Sequence, residues 1–508
     1  MTTPLTSDAR SSVADLPARV DVVVVGGGMG GLSAAVKLGA AGKKVLLLEA
    51  ASQLGGKIGT ETVDGVWFDT GPSVLTLPEI IDGVLRLAGL KVGHDAAADL
   101  RLIAPSPAFR YRFDDGMELD VHVALEDTIA SVTRTLGETA GRELREFLRY
   151  AQGIWEASKD DFVFGKAPTM LDLARMGMAR PLDMLKVDPL SSMKGAIEKR
   201  VTSTALRQLL LRYATYNGSD PLTAPATLNC IAHVELSLGG YGVAGGMAAL
   251  RDVLADACRR VGVTLTTNAP VTRLLEERGR VTGVVVGGRT VLASAVVVNA
   301  DVAWLREEGL PSAEKALPKP SPLSMSGATM VLKARRRRGA HGRVAHEVLF
   351  CADYAAEFDD IFRRRRGPRD PTIYLCAQEL AHERSGWPEH EPLFAMVNLP
   401  ALDHGVVDDG DAVLDAAKAR LVHKGLIDPD DQEIWRRSST GLGARFPGSR
   451  GSLYGAASNS RASAFSRAPN ALSTRPGLFL ASGSAHPGGG VPLCVQSGVL
   501  AADAILQT

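Results

Sequence analysis

The sequence is poor in the residues that build disulfide frameworks, metal sites and nucleic-acid surfaces. Its 5 cysteines are scattered along 508 residues without Cys-x-x-Cys spacing. This argues against a disulfide framework and a metal site, and it favours a reducing compartment. Lysine plus arginine equal aspartate plus glutamate at 57 each, so no excess of positive charge indicates a nucleic-acid partner. Every long apolar run is interrupted by glycine or a charged residue before it reaches the roughly 18 residues of a transmembrane helix.

The first residues also lack the pattern of a targeting segment. Residues 1–18 are polar, include Pro4, Asp8, Asp15 and Pro17, and contain no apolar stretch of the kind that a signal peptide needs. They predict a disordered lead-in. We therefore expect a chain that is soluble or lies on a membrane surface.

What the sequence does contain is a dinucleotide-binding pattern near its start. The apolar run Val22–Val25 has the length and β-branching of a buried strand. Gly26, Gly28 and Gly31 follow and open a helix rich in alanine and leucine. Gly26 permits a tight turn, Gly28 lets backbone N–H groups approach a pyrophosphate, and Gly31 lets helix and strand pack closely. The unpaired N–H groups of the first helical turn, which contains Gly30, face the phosphates.

A second strand completes this unit. Val45–Leu48 is again apolar, and Glu49 follows at its end. A carboxylate at this place accepts hydrogen bonds from the ribose hydroxyls and repels a 2′-phosphate. The order strand, glycine turn, helix, strand and acid is far more specific than the glycines alone, and it predicts a bound dinucleotide.

The residues after the acid distinguish a flavin from a nicotinamide. A double glycine that ends at Gly56, together with Lys57, predicts a second flexible loop whose amides and cation reach the same pyrophosphate. The next motif contains Gly71 and Pro72, which we also assign to the cofactor site. This segment resembles the FAD-binding segment of the flavoprotein amine oxidase and carotenoid desaturase superfamily. FAD is therefore the predicted cofactor.

The same type of pattern returns in the middle of the chain. A glycine-rich stretch at 239–246 leads into a predicted helix over 247–261. Further along, strands at 281–286 and 289–292 flank a two-residue Gly-Gly turn that is typical of a β-hairpin. This stretch resembles the superfamily's second cofactor segment. The resemblance implies that the backbone of Val271 pairs with the adenine edge.

The last informative block spans residues 477–498. A predicted strand at Phe479–Ala481 precedes a glycine-rich passage, and Pro492 suits the first turn of a helix that runs to Leu506. A helix start aimed at the flavin N1–C2=O edge would stabilise the negative charge that gathers there on reduction. The predicted cofactor contacts in this block are Gly483, Gly490, Val491 and Pro492.

The C-terminal motifs narrow the resemblance to one family. Residues 483–492 read Gly-Ser-Ala-His-Pro-Gly-Gly-Gly-Val-Pro, and they follow Gly-Ser-Leu-Tyr-Gly at 451–455 and Arg475–Leu480. Together they resemble the bacterial carotenoid desaturases of the phytoene desaturase family, over essentially the whole chain. Their form is closer to the hydroxycarotenoid 3,4-desaturases, of the methoxyneurosporene dehydrogenase type, than to phytoene desaturases proper. Gly489 stands where alanine is usual, which leaves the subtype open.

This resemblance implies an α/β fold in which a Rossmann-like FAD-binding domain carries an inserted α+β substrate domain. The FAD-binding domain is expected to be discontinuous, with residues 19–90, 236–305 and 440–508. The substrate or lid domain is expected to contain residues 91–235 and 306–439, with helices that contact a membrane.

The implied function is FAD-dependent desaturation of a carotenoid, with hydride transfer to flavin N5, in carotenoid biosynthesis. The expected partners are a lipophilic polyene, a membrane surface, and a quinone or oxygen as electron acceptor, and no nucleic acid is expected. The developing cation is allylic and spreads along the existing double bonds, so positioning in an apolar, water-poor tunnel does most of the work. A 1-hydroxycarotenoid 3,4-desaturase, cytoplasmic and peripheral to the inner membrane face, is the expected protein.

The sequence leaves the catalytic residue unknown. His486 is a candidate general base beside the flavin, but its tight His-Pro loop equally indicates a structural or flavin-bonding role. His233 and Glu235 are either catalytic or a satisfied polar pair. The sequence pattern contains no Ser-His-Asp, Cys-His or metal-ligand cluster, as expected for a substrate that stabilises its own charge.

Two further features allow more than one interpretation. Residues 160–200 are rich in methionine and leucine and are interrupted by prolines. They predict short amphipathic helices, whose methionines either fill a core or form an apolar lid at a membrane. The runs Arg335–Arg338 and Arg363–Arg366 form either solvated faces or a patch that attracts anionic lipid headgroups.

Other functions share the flavin motifs. The alternatives are a phytoene desaturase, a relative of amine oxidase or protoporphyrinogen oxidase, a carotenoid isomerase that uses reduced FAD, and a non-enzymatic isoprenoid-binding escort protein. The His-Pro-Gly-x-Gly-Val-Pro block argues against the oxidases in this group. A purified protein with a flavin absorbance band would exclude the escort protein.

Overall fold

The structure is a computed structural model. It describes residues 13–169, 172, 175, 178–180, 183, 186–319, 321–339, 342–403, 405–460 and 467–508. The predicted lead-in over residues 1–12 lies outside this part of the chain. So do most of the methionines and leucines of the stretch at 160–200, namely Met170, Leu171, Leu173, Met176, Leu182, Met184 and Leu185.

Helices are spread over the whole described chain. In chain order they are α1 (Met29–Ala40), α2 (Pro78–Arg86), α3 (Leu125–Leu136), α4 (Glu138–Phe162), α5 (Met193–Glu198), α6 (Thr204–Leu211), α7 (Cys230–Leu238), α8 (Met247–Arg260), α9 (Val302–Trp304), α10 (Tyr354–Phe358), α11 (Gln378–His382), α12 (Gly410–His423), α13 (Ser439–Arg445) and α14 (Val491–Leu506). Shorter 3-10 or π turns are Val13–Asp15, Arg212–Asn217, Ala226–Asn229, Leu305–Gly309, Pro311–Ala316 and Asp359–Arg364.

The strands form two large sheets and two small ones. In chain order they are β1 (Arg19–Val25), β2 (Val45–Leu48), β3 (Thr60–Val63), β4 (Val66–Asp69), β5 (Val92–Gly93), β6 (Leu100–Ile103), β7 (Phe109–Arg112), β8 (Glu118–Val121), β9 (Gly242–Val243), β10 (Thr264–Thr266), β11 (Val271–Glu277), β12 (Arg280–Val286), β13 (Arg289–Val298), β14 (Ser326–Arg335), β15 (His346–Leu349), β16 (Ile373–Ala377), β17 (His390–Leu399), β18 (Gln432–Arg437) and β19 (Leu478–Leu480).

The first large sheet brings the start, middle and end of the chain together. Its strand order is β10-β2-β1-β13-β12-β11, and β19 also pairs with β13. The pairs of β1 with β2, β1 with β13, and β13 with β19 are all parallel. The central strands therefore end at one common edge. In open parallel sheets, ligands bind at this edge.

Apolar side chains fill both faces of this sheet. Val22 and Val24 of β1 pack on the side of α1 and α14, whereas Val23 and Val25 belong to the core on the opposite side. Successive side chains of a strand point to opposite faces. Four consecutive valines therefore bury both faces, as a central parallel strand requires.

The end of the predicted lead-in is ordered. Val13–Asp15 form a turn of 3-10 helix, and Leu16 is 4% exposed in the core beneath the first sheet. Val13 packs beside the β12–β13 turn at Gly287. The prediction of disorder is therefore wrong for residues 13–18, because one buried leucine in a polar segment gives no periodic signal in the sequence.

The second large sheet is built only from residues between 109 and 437. Its order is β18-β14-β17-β16-β15-β7-β8, and its pairs are antiparallel except β15 with β7. Helix α12 packs on one face, while α4 and α6 pack on the other. Antiparallel strands with segregated helices are the α+β arrangement.

One domain boundary differs from its prediction. Leu100 and Leu102 of β6 lie in the core on the α1 and α14 side of the first sheet, and Leu102 pairs with Val243 of β9. The change of domain therefore falls after Ile103 and not near residue 91. The sequence misled here because β6 and β7 have similar alternating patterns.

The helical pattern of Glu126–Arg149 forms two helices and not one. Helix α3 ends at Leu136, α4 begins at Glu138, and Gly137 between them has φ of 93°. Apolar spacing continues across the break, so periodicity alone does not reveal it. The glycine is the sequence signal, because a left-handed φ at a helix end favours glycine.

This break gives a matched pair of glycine substitutions. We expect Gly137→Ala to lower the free energy of unfolding by about 1 kcal/mol, because alanine disfavours a positive φ. Gly153→Ala lies in the middle of α4, where a β-carbon meets no atom within 4 Å, and we expect it to raise stability by about 0.5–1 kcal/mol. Thermal unfolding of both variants measures the contrast. Equal shifts in the same direction would contradict the assignment of the break.

Candidate functional site

The first glycine turn lies between β1 and α1. Gly26 has φ of 98°, which favours glycine. A β-carbon at Gly31 would lie 2.1 Å from the Gly26 carbonyl oxygen, so the close packing predicted for Gly31 is present. A β-carbon at Gly30 would lie 2.4 Å from the carbonyl oxygen of Ala481, the residue directly after β19. The turn is therefore enclosed by the C-terminal strand as well as by its own helix.

The second glycine loop packs directly against the first. The Gly55 N–H donates to the Gly27 carbonyl at 2.7 Å. A β-carbon at Gly56 would lie 3.2 Å from the Gly28 Cα, with no other side chain within 4 Å. The two loops thus form one backbone-lined cradle that a side chain on either loop would fill. Such a cradle beside a helix N-terminus suits the pyrophosphate of FAD.

Glu49 lies beside this cradle. Its carboxylate accepts the N–H of Gly27 at 2.7 Å and that of Ala51 at 2.8 Å. The Ala269 N–H donates to the Glu49 carbonyl at 2.9 Å, which brings the start of β11 to the same place. Val271, predicted to pair with the adenine edge, begins that strand. The ribose and adenine contacts remain predictions, and their two residues lie on adjacent segments.

Asn299 is a site residue that the sequence did not reveal. It follows β13, and its Oδ1 accepts the Gly28 N–H at 2.8 Å, while its Nδ2 donates to the Ala481 carbonyl. The N–H of Gly28 therefore points to Asn299 and not toward a pyrophosphate. A β-carbon at Gly28 would lie 2.6 Å from Asn299 Oδ1. The signal for Asn299 was its place directly after a parallel strand, where polar residues collect at the ligand edge.

Lys57 of the second loop contacts the Gly-Ser-Leu-Tyr-Gly segment. Its ammonium donates to the carbonyls of Ser452 at 3.1 Å and Leu453 at 2.5 Å. The ion therefore ties the second loop to the Gly-Ser-Leu-Tyr-Gly segment. Two carbonyls thus accept from the ammonium in this structure, and the contact between Lys57 and the pyrophosphate stays a prediction. Gly71 supports the same loop, since a β-carbon there would lie 2.2 Å from the Lys57 carbonyl oxygen.

The C-terminal helix begins at a large cavity. Gly490 has φ of 98° and precedes α14, and a β-carbon there would meet no atom within 4 Å. At Gly483 a β-carbon would lie 3.1 Å from Cys494 Sγ, so this residue permits a close passage. Gly490, Val491 and Pro492 line the cavity, and so does Pro72. The predicted flavin-side residues are thus brought together.

The cavity has a volume of about 420 Å³ and extends from α14 into the second domain. Most of its wall is apolar. Residues from the second domain that line it include Trp155, Leu228, Ile231, Val348 and Met396. An apolar cavity with a backbone-lined cradle and a helix N-terminus beside it suits a flavin ring and a lipophilic substrate.

Comparison with a family model supports this interpretation. Residues 29–335 match the model of flavin-containing amine oxidoreductases. The chain belongs to this family. The prediction of an α/β fold with a Rossmann-like FAD-binding domain is confirmed, as is FAD as the cofactor. The protein is therefore a flavin-dependent oxidoreductase.

Its relatives among known proteins also confirm the resemblance to the carotenoid desaturases. The chain is 33% identical to a hydroxyneurosporene desaturase of Rubrivivax gelatinosus, over 96% of this chain and 93% of that protein. It is 29% identical to a 1-hydroxycarotenoid 3,4-desaturase of a Flavobacterium species, over 96% and 98%. Among solved structures, a putrescine oxidase variant has a TM-score of 0.60 at 17% identity, covering 96% of this chain and 99% of that one. This likeness concerns the fold.

His486 of this flavin oxidoreductase has a structural partner. Its Nε2 lies 2.9 Å from the Gly165 carbonyl oxygen, so Nε2 carries a proton and donates it to that bond. Burial lowers the pKa of the imidazole, which keeps it neutral. The side chain borders the cavity, but its Nε2 is not free to accept a proton. This geometry favours the structural interpretation of His486.

Substitution of His486 distinguishes the two roles. We expect His486→Leu to lower stability by about 1–2 kcal/mol, because the Gly165 carbonyl loses its donor. His486→Gln keeps a donor and should recover much of that loss. Thermal unfolding measures both effects. Loss of one limb of the pH–rate profile in both variants would instead identify His486 as the general base.

His233 and Glu235 are not paired with each other. The Glu235 carboxylate accepts the hydroxyls of Tyr213 at 2.9 Å and of Tyr216, and burial raises its pKa. The Nδ1 of His233 is buried and has no hydrogen-bond partner among the described residues. Glu235 is therefore a buried polar group whose hydrogen bonds are satisfied by two tyrosines, which favours a structural role for it over a catalytic one.

The arginine runs are largely neutralised by acidic neighbours. Arg336 and Arg338 both pair with Glu379, at 2.6 and 2.7 Å. Arg364 and Arg366 both pair with Asp360, at 3.1 and 2.7 Å. These pairs favour solvated, charge-balanced faces over a patch for anionic headgroups. Among the described helices, none is both long and apolar enough to cross a membrane.

Proposed function

We propose that this flavin oxidoreductase is a carotenoid desaturase, and specifically a 1-hydroxycarotenoid 3,4-desaturase. The observation that carries the proposal is the apolar cavity of about 420 Å³ that begins at the flavin-side residues and continues between the two domains. A long polyene has no polar group along most of its length, so an apolar wall is its complement. Relatives named for hydroxyneurosporene and for 1-hydroxycarotenoid desaturation support the substrate class.

FAD, when bound, supplies the acceptor for the hydride that desaturation removes from carbon. The chain's own residues orient the substrate and exclude water. The N-terminus of α14, at Val491, adds a partial positive charge at the cavity wall. Side chains such as Trp155 and Val348 keep the cavity dry, which protects the allylic cation of the substrate from water. No strong nucleophile is needed, because the polyene delocalises its own charge.

We also propose that the protein takes its substrate from a membrane surface. Carotenoids dissolve in the bilayer. Phe162, Val163, Pro168 and Val187 line the cavity, and Leu190, three positions after Val187, is exposed. A membrane quinone or oxygen would then reoxidise the enzyme. Cosedimentation with liposomes tests the contact, and anaerobic turnover with and without quinone in the liposomes tests the acceptor.

Incubation with polyenes tests the desaturase proposal. The FAD-loaded protein is mixed with liposomes that contain phytoene, neurosporene or 1-hydroxyneurosporene, and the absorption spectra are followed. We expect a red shift with 1-hydroxyneurosporene, because each new double bond lengthens the chromophore. A shift with phytoene as the preferred substrate would instead indicate a phytoene desaturase. The absence of a shift with every polyene would contradict desaturation.

A further inference from the structure

Two arginines, Arg212 and Arg467, lie in the wall of the largely apolar cavity. Both Nη atoms of Arg467 donate to protein oxygens, so Arg212 is the candidate donor to a ligand. Arg212 begins the turn Arg212–Asn217, is 8% exposed and lines the cavity. Its guanidinium carbon lies 5.3–5.6 Å from the ring centroids of Tyr216, Phe109 and Tyr111. Aromatic faces stabilise a buried cation at this range. Within the described part of the chain, no carboxylate oxygen comes within 4.0 Å of the guanidinium.

In the part of the chain that the structure describes, the hydrogen bonds of Arg212 use only one of its three guanidinium nitrogens, so the others can donate to a ligand. Its Nη1 donates to the hydroxyl of Tyr111 at 3.1 Å and to that of Tyr216 at 3.4 Å. Among the described residues, Nε and Nη2 have no such partner. An arginine presents five N–H donors and no acceptor. The cavity wall therefore offers unused, charged donors at this point.

The neighbouring acceptors are already occupied. Tyr216 accepts from Arg212 and donates to the Glu235 carboxylate, whose other oxygen accepts from Tyr213 at 2.9 Å. Glu235 also balances the charge of Arg212, so the cluster does not call for an anionic ligand. What it lacks is a neutral oxygen that accepts a hydrogen bond. A hydrocarbon in the same place would leave the donors unpaired, which is unfavourable in a dry cavity.

The cluster lies close to the cofactor end of the cavity. Asn217, at the end of the same turn, accepts from Arg467 Nη2 at 3.3 Å. Arg467 Nη1 donates to the carbonyl of Gly483 at 2.9 Å, within the glycine-rich passage beside α14. In a 1-hydroxycarotenoid, the carbon that bears the oxygen is separated from C3 by a single carbon. A group that binds this oxygen must therefore lie near the reacting bond. Arg212 meets this requirement through its turn, because Asn217 and Arg467 connect that turn to the passage beside α14.

We propose that Arg212 is the specificity-determining residue that binds the oxygen at the hydroxylated end of the polyene. This inference rests on the proposed desaturase function. The hydrogen bond from the guanidinium to the C1 oxygen fixes how far the chain enters the cavity. It thereby places C3 and C4 at the flavin, while an unsubstituted end lacks this anchor. Arg212 thus selects both the substrate and the bond.

The test compares matched substrates in the FAD-loaded, full-length enzyme. We expect kcat/KM for 1-hydroxyneurosporene to exceed that for neurosporene in the wild type. Arg212→Met should lower the first value about 100-fold, the usual range for losing a hydrogen bond to a charged group. The value for neurosporene should stay the same or rise. Val348→Ala, an apolar change in the same cavity, should affect both substrates alike.

The outcomes separate this inference from the function on which it rests. If the wild type desaturates neither polyene, the proposed function fails. If it desaturates both but Arg212→Met lowers both values equally, Arg212 is structural and the inference is overturned. If Arg212→Met does not fold, the test is the kcat/KM of the wild-type enzyme for 1-methoxyneurosporene. This polyene still accepts a hydrogen bond, through its ether oxygen. We expect it to be preferred to neurosporene, and equal values for the three polyenes would overturn the inference.

Discussion

Gly28→Val is expected to give a folded but colourless protein. The valine β-carbon would lie 2.6 Å from Asn299 Oδ1, so it would displace the side chain that holds the Gly28 backbone beside the second glycine loop. Asn299 would have to move, and its bond to the Gly28 N–H would be lost. Backbone approach to a pyrophosphate requires glycine at such a place. We expect FAD occupancy to fall below the limit of detection by absorbance.

Gly83→Ala is the matched control for this change. Gly83 lies in α2, and a β-carbon there meets no atom within 4 Å. We expect the variant to keep its flavin absorbance. Circular dichroism of Gly28→Val should match the apo wild type, which separates loss of cofactor from loss of fold. A yellow Gly28→Val with normal occupancy would contradict the location of the cradle.

Arg384→Met is expected to have the largest effect on stability. Arg384 Nη2 pairs with Asp69 Oδ1 at 3.1 Å, and both side chains are almost fully buried, at 3% and 2% exposure. The other oxygen of Asp69 accepts the N–H of Met247 at 2.8 Å, at the start of α8. The pair therefore joins the second cofactor segment to the motif that contains Gly71. Removal of one partner leaves a buried charge, which costs about 3–5 kcal/mol.

The effect of Arg384→Met should depend on pH in a defined direction. Burial already raises the pKa of Asp69, and Arg384 opposes this shift, so the variant should have a still higher pKa at Asp69. A carboxyl with a raised pKa in the folded state binds more protons folded than unfolded. The stability of the variant therefore falls as the pH rises, and its deficit should be larger at about pH 8 than at about pH 5.5.

Arg101→Met provides the surface comparison for this pair. Arg101 pairs with Glu383, and both side chains are substantially exposed, at 32% and 52%. Its loss should change stability by no more than about 1 kcal/mol. Denaturant unfolding of both variants at the two pH values measures the difference. Equal effects, or a deficit for Arg384→Met that grows in acid, would contradict the buried pair.

The parts of the fold that followed from the sequence are local. The strand at Val45–Leu48 was predicted with its observed bounds, because a β-branched and leucine run between turns has few other conformations in a βαβ unit. The β12–β13 hairpin is likewise confirmed, because a Gly-Gly pair permits the two positive φ values of a type I′ turn. The start of α14 beside Pro492 follows the same logic.

The parts that did not follow depend on contacts between distant residues. Asn299 lies 271 positions from Gly28 in the sequence, and Lys57 lies 395 positions from Ser452. No local sequence pattern predicts which distant backbone groups form hydrogen bonds with the side chains of Asn299 and Lys57. Arg212 was overlooked for the same reason. A single arginine among leucines and tyrosines predicts an exposed position on a helix. Only the folded structure shows that this side chain lies in the wall of the cavity.

The most direct test is an anaerobic mixing experiment with the FAD-loaded enzyme and liposomes that contain 1-hydroxyneurosporene. The account predicts that the oxidised flavin band bleaches while the polyene band shifts to the red, with one flavin reduced for each double bond formed. Readmission of an electron acceptor should restore the flavin band and allow further turnover. A flavin band that stays oxidised in the presence of every polyene would contradict the account.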